Sequence, residues 1–97
     1  MKIYTDEKLT QEISVLDLGI VPAGETKRFV FYLLNDSEAT LRNLEFIVAH
    51  DEIKVIEAPK ELLAKVSDEL IIEWSPSVTL KEGLKARLHI KGIELWG

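Results

Sequence analysis

Few residues in this chain are of a type that could do covalent or metal chemistry. There are two histidines, His50 and His89, and no cysteine. A side-chain nucleophile needs a base within hydrogen-bond reach and a third group to orient that base. Neither histidine has a serine or aspartate at a motif spacing that would supply them. No G-x-S-x-G, no H-E-x-x-H and no glycine-rich phosphate loop opening a helix occurs. Three carboxylate pairs (Asp36 with Glu38, Asp51 with Glu52, Asp68 with Glu69) fall in or beside turns. A calcium ion takes about six to eight oxygen ligands from a converging loop, and each pair supplies too few. The expectation is no catalytic residue, no metal site, no cofactor and no small-molecule substrate.

What remains is recognition chemistry, and two patterns carry it. In the first, Lys85, Arg87, His89 and Lys91 alternate with Leu84, Ala86, Leu88 and Ile90. Such a stripe is expected to lie across from Glu69 and Glu73 of a neighbouring strand, where cross-strand opposite charges contribute roughly 0.2–1 kcal/mol each. In the second, apolar residues sit where solvent is expected. Val30, Tyr32 and Leu34 share one face of a strand whose other face is also apolar, and residues 93–97 form an apolar tail. Tyr and Trp are enriched as anchors of protein interfaces. The predicted partner interface is therefore Val30, Tyr32, Leu95 and Trp96, with Ile3 and Tyr4 of the N-terminal arm as a second contact.

These residues must be positioned by strands, because the hydrophobic period is two throughout. Segments 13–21, 26–34, 40–50, 53–56, 61–66, 69–74 and 84–91 alternate between turn signals. Residues 61–66 also suit one helical turn, but they are too short to stand as a helix. Gly19 in mid-strand predicts a bulge or a change of sheet. Pro22-Ala23-Gly24-Glu25 predicts a tight turn. The alternating faces nominate Phe29, Phe31, Leu33, Phe46, Leu70, Ile72, Trp74, Leu88 and Ile90 as the core. About seven short strands with no amphipathic helix fit a single all-β domain, an antiparallel β-sandwich of immunoglobulin-like architecture with no disulfide. Residues 1–12 are expected to be an N-terminal arm or edge strand, and residues 13–97 the sandwich with its short tail.

Composition narrows the partners. The 97 residues are 46% hydrophobic and 30% charged, with a formal net charge of -5. That balance argues against sequence-independent nucleic-acid binding, which needs many phosphate-neutralising cations. No stretch approaches the ~18 apolar residues of a membrane helix. The first residues contain no apolar core of a signal peptide. A virion or cytoplasmic location is expected, without secretion by a signal peptide.

Two groups of residues also resemble a known family. One is L-D-L-G-I-V-P-A-G-E with F-V-F-Y-L-L-N-D-S, over residues 16–37. The other is I-I-E-W-S-P with E-G-L-K-A-R-L-H-I, over residues 71–90. Their order and spacing resemble the major-sperm-protein-like domains, among them a ciliary and centrosomal group and bacterial relatives. The resemblance covers about four-fifths of the chain; Leu18 stands where phenylalanine is commoner in the family. It implies an immunoglobulin-like adaptor that binds other proteins. Similar domains serve as accessory subunits of tailed-phage virions. The expected function is thus a non-catalytic subunit of a larger assembly, a phage capsid or tail accessory protein being the best example, touching capsid or tail subunits or copies of itself. The alternatives are a cytoplasmic adaptor that binds peptides by strand addition, and a carbohydrate-binding module built on exposed aromatics.

Overall fold

The computed structural model describes residues 1–96, which form nine β-strands and no helix. Every strand pair is antiparallel. One layer is a five-stranded sheet in the order β2 (Glu12–Ile13), β1 (Lys2–Tyr4), β4 (Lys27–Leu34), β7 (Ser67–Trp74), β6 (Ile53–Glu57). The other holds two ribbons, β3 (Leu16–Gly19) with β8 (Leu84–Ala86), and β5 (Thr40–Val48) with β9 (Leu88–Leu95).

The core forms where the inner faces meet. Phe31 and Leu33 of β4 and Leu70, Ile72 and Trp74 of β7 bury against Leu16 and Leu18 of β3, Leu44 of β5 and Ala86 of β8. Removing such side chains from water stabilises by roughly 1.5–3 kcal/mol each. Phe29, Phe46, Leu88 and Ile90 belong to the same cluster but are only half-buried.

Nine strands replace the expected seven: two long alternations are each split, residues 2–4 add a strand, and residues 61–66 drop out. In residues 13–21, Glu12–Ile13 pairs with β1 in one layer and Leu16–Gly19 pairs with β8 in the other. The chain crosses between layers at Ser14 and Val15. Gly19 lies at the expected bulge, with φ +64° and a register shift after Asp17. In residues 84–95, Arg87 separates a segment that pairs with β3 from one that pairs with β5. Alternation continues through such a switch, so the pattern alone does not reveal it.

Three expectations need correction. Residues 61–66 are not a strand. Only Leu62 bridges to Leu41, and Lys65 adopts a left-handed backbone at φ +63°, outside the extended range of a regular strand. The last strand does not stop at residue 91 as expected: Gly92 lies inside β9. Glu69 and Glu73 do not face the basic stripe, because β7 pairs with β4 and β6. Glu73 instead meets Arg28 at 2.9 Å.

Residues 1–12 are stitched into the large sheet: β1 lies between β2 and β4. The turn Pro22-Ala23-Gly24-Glu25 closes as expected, Glu25 N–H donating to the Pro22 carbonyl at 3.1 Å with Gly24 at φ +83°.

Candidate functional site

The most exposed apolar surface lies at the far end of the β5–β9 ribbon. Period two turns Leu44, Phe46, Val48, Leu88 and Ile90 toward the other layer, and Glu45, Ile47, His89 and Lys91 toward solvent. The ribbon then changes course at Gly92. Two residues of β5, Asn43 and Leu44, stand opposite this one glycine, and the register shifts between Arg42 and Glu45. Asn43 takes the bulge's left-handed conformation at φ 52°, which asparagine tolerates better than most residues. A Cβ on Gly92 would sit 2.8 Å from Leu44 Cδ2 and 3.3 Å from the Arg42 carbonyl oxygen, so the leucine covers the glycine.

Beyond the bulge, Arg42 pairs with Ile93, Leu41 with Glu94 and Thr40 with Leu95. There the side chains lose their cover: Ile93 is 52% exposed, Leu95 42% and Trp96 67%. Leu95 and Trp96 line a shallow cleft of about 290 Å³ with Glu38, Thr40, Arg42, Glu61 and Leu63. Leu63 is itself 56% exposed. Ion pairs frame the cleft, Arg42 with Glu61 at 3.3 Å and Lys65 with Glu38 at 3.1 Å. Trp96 Nε1 donates to Glu94 Oε2 at 3.2 Å.

One wall of the cleft is held by Asn35, the only buried polar residue among those described. Its Nδ2 donates to the carbonyls of Ala39 at 2.7 Å and Leu62 at 2.9 Å. Its Oδ1 accepts from Ser37 Oγ at 2.7 Å and Ser37 N–H at 3.1 Å. Its backbone closes on the same loop, Lys65 N–H donating to the Asn35 carbonyl at 2.7 Å. Leu62 is thereby drawn into the core while its neighbour Leu63 is turned out. The Leu62-Leu63 doublet was the available signal: whichever one is buried, an alternating backbone exposes the other.

The predicted interface residues do not form one surface. Leu95 and Trp96 come together. Val30 is exposed on the outer face of the five-stranded sheet, across from Ile71. Tyr32 is half-buried and lines a different cleft, of about 230 Å³, with Glu7, Ser67, Asp68 and Glu69. Tyr4 pairs with Tyr32 and is buried, and Ile3 packs against the core, so both serve this chain's own sheet.

The residues weighed for chemistry are occupied structurally. His50 Nδ1 accepts from Glu52 N–H at 3.2 Å, and its ring meets Trp74 edge-on at 6.4 Å. Asp51 Oδ1 lies 3.9 Å from the same nitrogen. Among the described residues no group of three or more His, Asp or Glu side chains is placed to hold a metal ion. The Ser77 hydroxyl and N–H, both donating to Glu52, hold its carboxyl below its ordinary pKa. Asp36 is lowered by accepting a hydrogen bond from the N-terminal ammonium at 3.1 Å.

No family model, curated protein or solved structure matches this chain.

Proposed function

We propose that this chain is a non-catalytic β-sandwich that works by protein–protein contact as a subunit of a larger assembly. Its contact surface is centred on Leu63, Ile93, Leu95 and Trp96. One observation supports this above the rest: three large apolar side chains, Leu63, Leu95 and Trp96, line one cleft with 42–67% of their surface open to water, and Ile93, 52% exposed, stands two residues before Leu95 on β9. Fully covering side chains of this size is worth roughly 1.5–3 kcal/mol each, and a small domain seldom leaves such a cluster bare. A capsid or tail accessory subunit of a virion is the specific case we carry forward. Cross-linking to shell or tail proteins encoded by neighbouring genes tests it. Trp96→Ala and Leu95→Ser should each abolish the cross-link while leaving the fold intact. Unchanged cross-linking in both variants overturns the contact surface.

A second reading, an adaptor that takes up an extended peptide, is favoured by a separate observation: β9 is hydrogen-bonded on one side only. The carbohydrate reading is not carried forward. Tyr4 and Trp74 are buried, and Tyr32 and Trp96 line different clefts, so no flat aromatic platform forms among the described residues.

A further inference from the structure

The run from Leu84 to Leu95 is one extended stretch with two partners. On β8, Leu16 stands opposite Ala86 and Asp17 opposite Lys85. On β9, β5 runs alongside from Leu95 back to Leu88, and Ala49 N–H still reaches the Arg87 carbonyl at 3.4 Å. With β5 following this strand as far as Arg87, β3 lies along its other edge. Successive peptide groups of a strand face opposite edges. The Arg87 carbonyl faces β5, so the N–H and C=O groups of Leu88, Ile90 and Gly92 face away from it. Among the described residues no strand pairs with that second edge of β9.

The reason is visible upstream. A strand continuing β3 along this edge would place Ser14 opposite Leu88 and Glu12 opposite Ile90. The chain instead leaves at Ser14 and Val15 to pair Ile13 with Ile3 in the other layer. The departure opens a cleft of about 380 Å³ lined by Glu12, Ile13, Ser14, Val15, Asp17 and Lys85, at the head of the unpaired edge.

β3 also shows what the edge accepts. Its Leu-Asp-Leu turns both leucines into the core and sets the aspartate across from the first cation of the basic stripe. Arg87, His89 and Lys91 continue that stripe on the solvent side. Among the described residues, none of Lys85, Arg87 and Lys91 forms an ion pair. Half-buried Leu88 and Ile90 continue the apolar row on the inner side. We propose that the free edge of β9 is a binding site for an extended peptide that alternates apolar and acidic residues. The peptide adds as an antiparallel strand collinear with β3, its apolar residues beside Leu88 and Ile90 and its carboxylates beside Arg87, His89 and Lys91. Strand addition takes affinity from main-chain bonds and specificity from alternate side chains. This deepens the proposed protein-contact role and rests on it.

The test is an NMR titration of the ¹⁵N-labelled protein with a capped octapeptide of alternating valine and glutamate. Two control peptides accompany it, one with lysine in place of glutamate and one N-methylated at alternate amides. The expected result is saturable binding with slowed exchange at the Leu88, Ile90 and Gly92 amides. The lysine peptide should bind on the order of tenfold more weakly, and the N-methylated one not at all. The exposed double substitution Arg87→Glu with Lys91→Glu should reverse the charge preference, and retained amide dispersion reports its fold. No change at β9, or equal binding of the glutamate and lysine peptides, overturns the site. If the peptide fails while Trp96→Ala still abolishes the protein cross-link, only this inference falls. If the peptide binds β9 and Trp96→Ala is silent, the apolar cleft is overturned as the contact surface and the strand site stands.

Discussion

The strands β4 and β7 of the five-stranded sheet and the strands β5 and β9 of the ribbon are nearly equal in length, eight or nine residues, and alternate equally well. Their fates differ. The inner residues Leu33, Leu70, Ile72 and Trp74 of the sheet are fully buried. In the ribbon only Leu44 is buried; Phe46, Leu88 and Ile90 stay half-exposed, and past Gly92 every residue of β9 is exposed. The sheet's central strands each have hydrogen-bonded neighbours on both sides, whereas β9 has one. Alternation decides which face of a strand is apolar. Only neighbours on both edges decide how dry that face becomes.

The largest expected effect tests this contrast directly. Leu70→Ala should cost about 2–5 kcal/mol in urea unfolding, the range for truncating a core leucine. Ile90→Ala should cost under about half as much, because part of its side chain is already wet. Equal costs would mean that the ribbon is as tightly closed as the sheet. Next is Asn35→Ala, which removes the Nδ2 donors and the Oδ1 acceptor from a dry site, while the Ala39 and Leu62 carbonyls keep a second donor each, Ser37 Oγ at 3.1 Å and Leu41 N–H at 2.9 Å. An intramolecular hydrogen bond contributes about 0.5–1.5 kcal/mol net, so a loss of roughly 1–3 kcal/mol is expected. It should come with faster amide exchange in residues 60–66, which Asn35 ties to the sheet.

Gly92→Ala comes third and isolates the ribbon. In a strand interior alanine normally gains about 0.5–1 kcal/mol over glycine. Here the new methyl would meet Leu44 Cδ2 at 2.8 Å and close on the Arg42 carbonyl at 3.3 Å. Displacing Leu44 should make the change destabilising by about 1–2 kcal/mol. A stabilised variant would show that the bulge relaxes freely. Fourth, Ile93→Thr should shift stability by less than about 0.5 kcal/mol, as exposed positions do. A larger loss would mean that the end of the ribbon is already covered within this chain.

The fold was legible in the sequence where a residue's partner is local or its pattern unambiguous. Trp74, Leu70, Ile72, Phe31 and Leu33 were read as core and are. The bulge at Gly19 and the turn at Pro22 were read from residue types that leave the backbone few alternatives. What was not legible depended on tertiary choice. Alternation through Arg87 is unbroken although the partner strand changes there. Gly92 reads as a terminator until Leu44 is seen lying over it. Tyr4 reads as an arm residue because nothing local shows that β2 and β4 enclose it. Of the predicted interface, Leu95 and Trp96 share a cleft because both follow the bulge. Val30 and Tyr32 belong to the opposite layer, a separation that no spacing along the chain encodes.

The smallest effect expected is on pH dependence, and it belongs to the sheet's side of the contrast. Glu52 precedes β6 and accepts from Ser77, N–H to Oε2 at 2.9 Å, just past the end of β7. This bonding lowers the carboxyl pKa in the folded chain below its ordinary 4.5. A carboxyl that is easier to ionise when folded contributes stability above its unfolded pKa and loses it as pH falls through the lower folded value. The Glu52 contribution should therefore be complete near neutrality and begin to fade below about 4.5, with Asp36 following below its ordinary 3.8. Glu52→Gln retains a carbonyl oxygen to accept from Ser77 but cannot titrate. Its unfolding midpoint should fall less steeply between pH 5 and 3 than that of the parent chain. An unchanged slope would mean that Ser77 holds the neutral and ionised forms equally well. The Glu52 backbone carbonyl also accepts from Ser75 N–H at 3.2 Å. Side-chain protonation should therefore loosen the β6–β7 end of the sheet first, seen as lower protection factors at Ser75 and Ser77 while the Ile47 and His89 amides, which face each other in the ribbon, keep their neutral-pH protection.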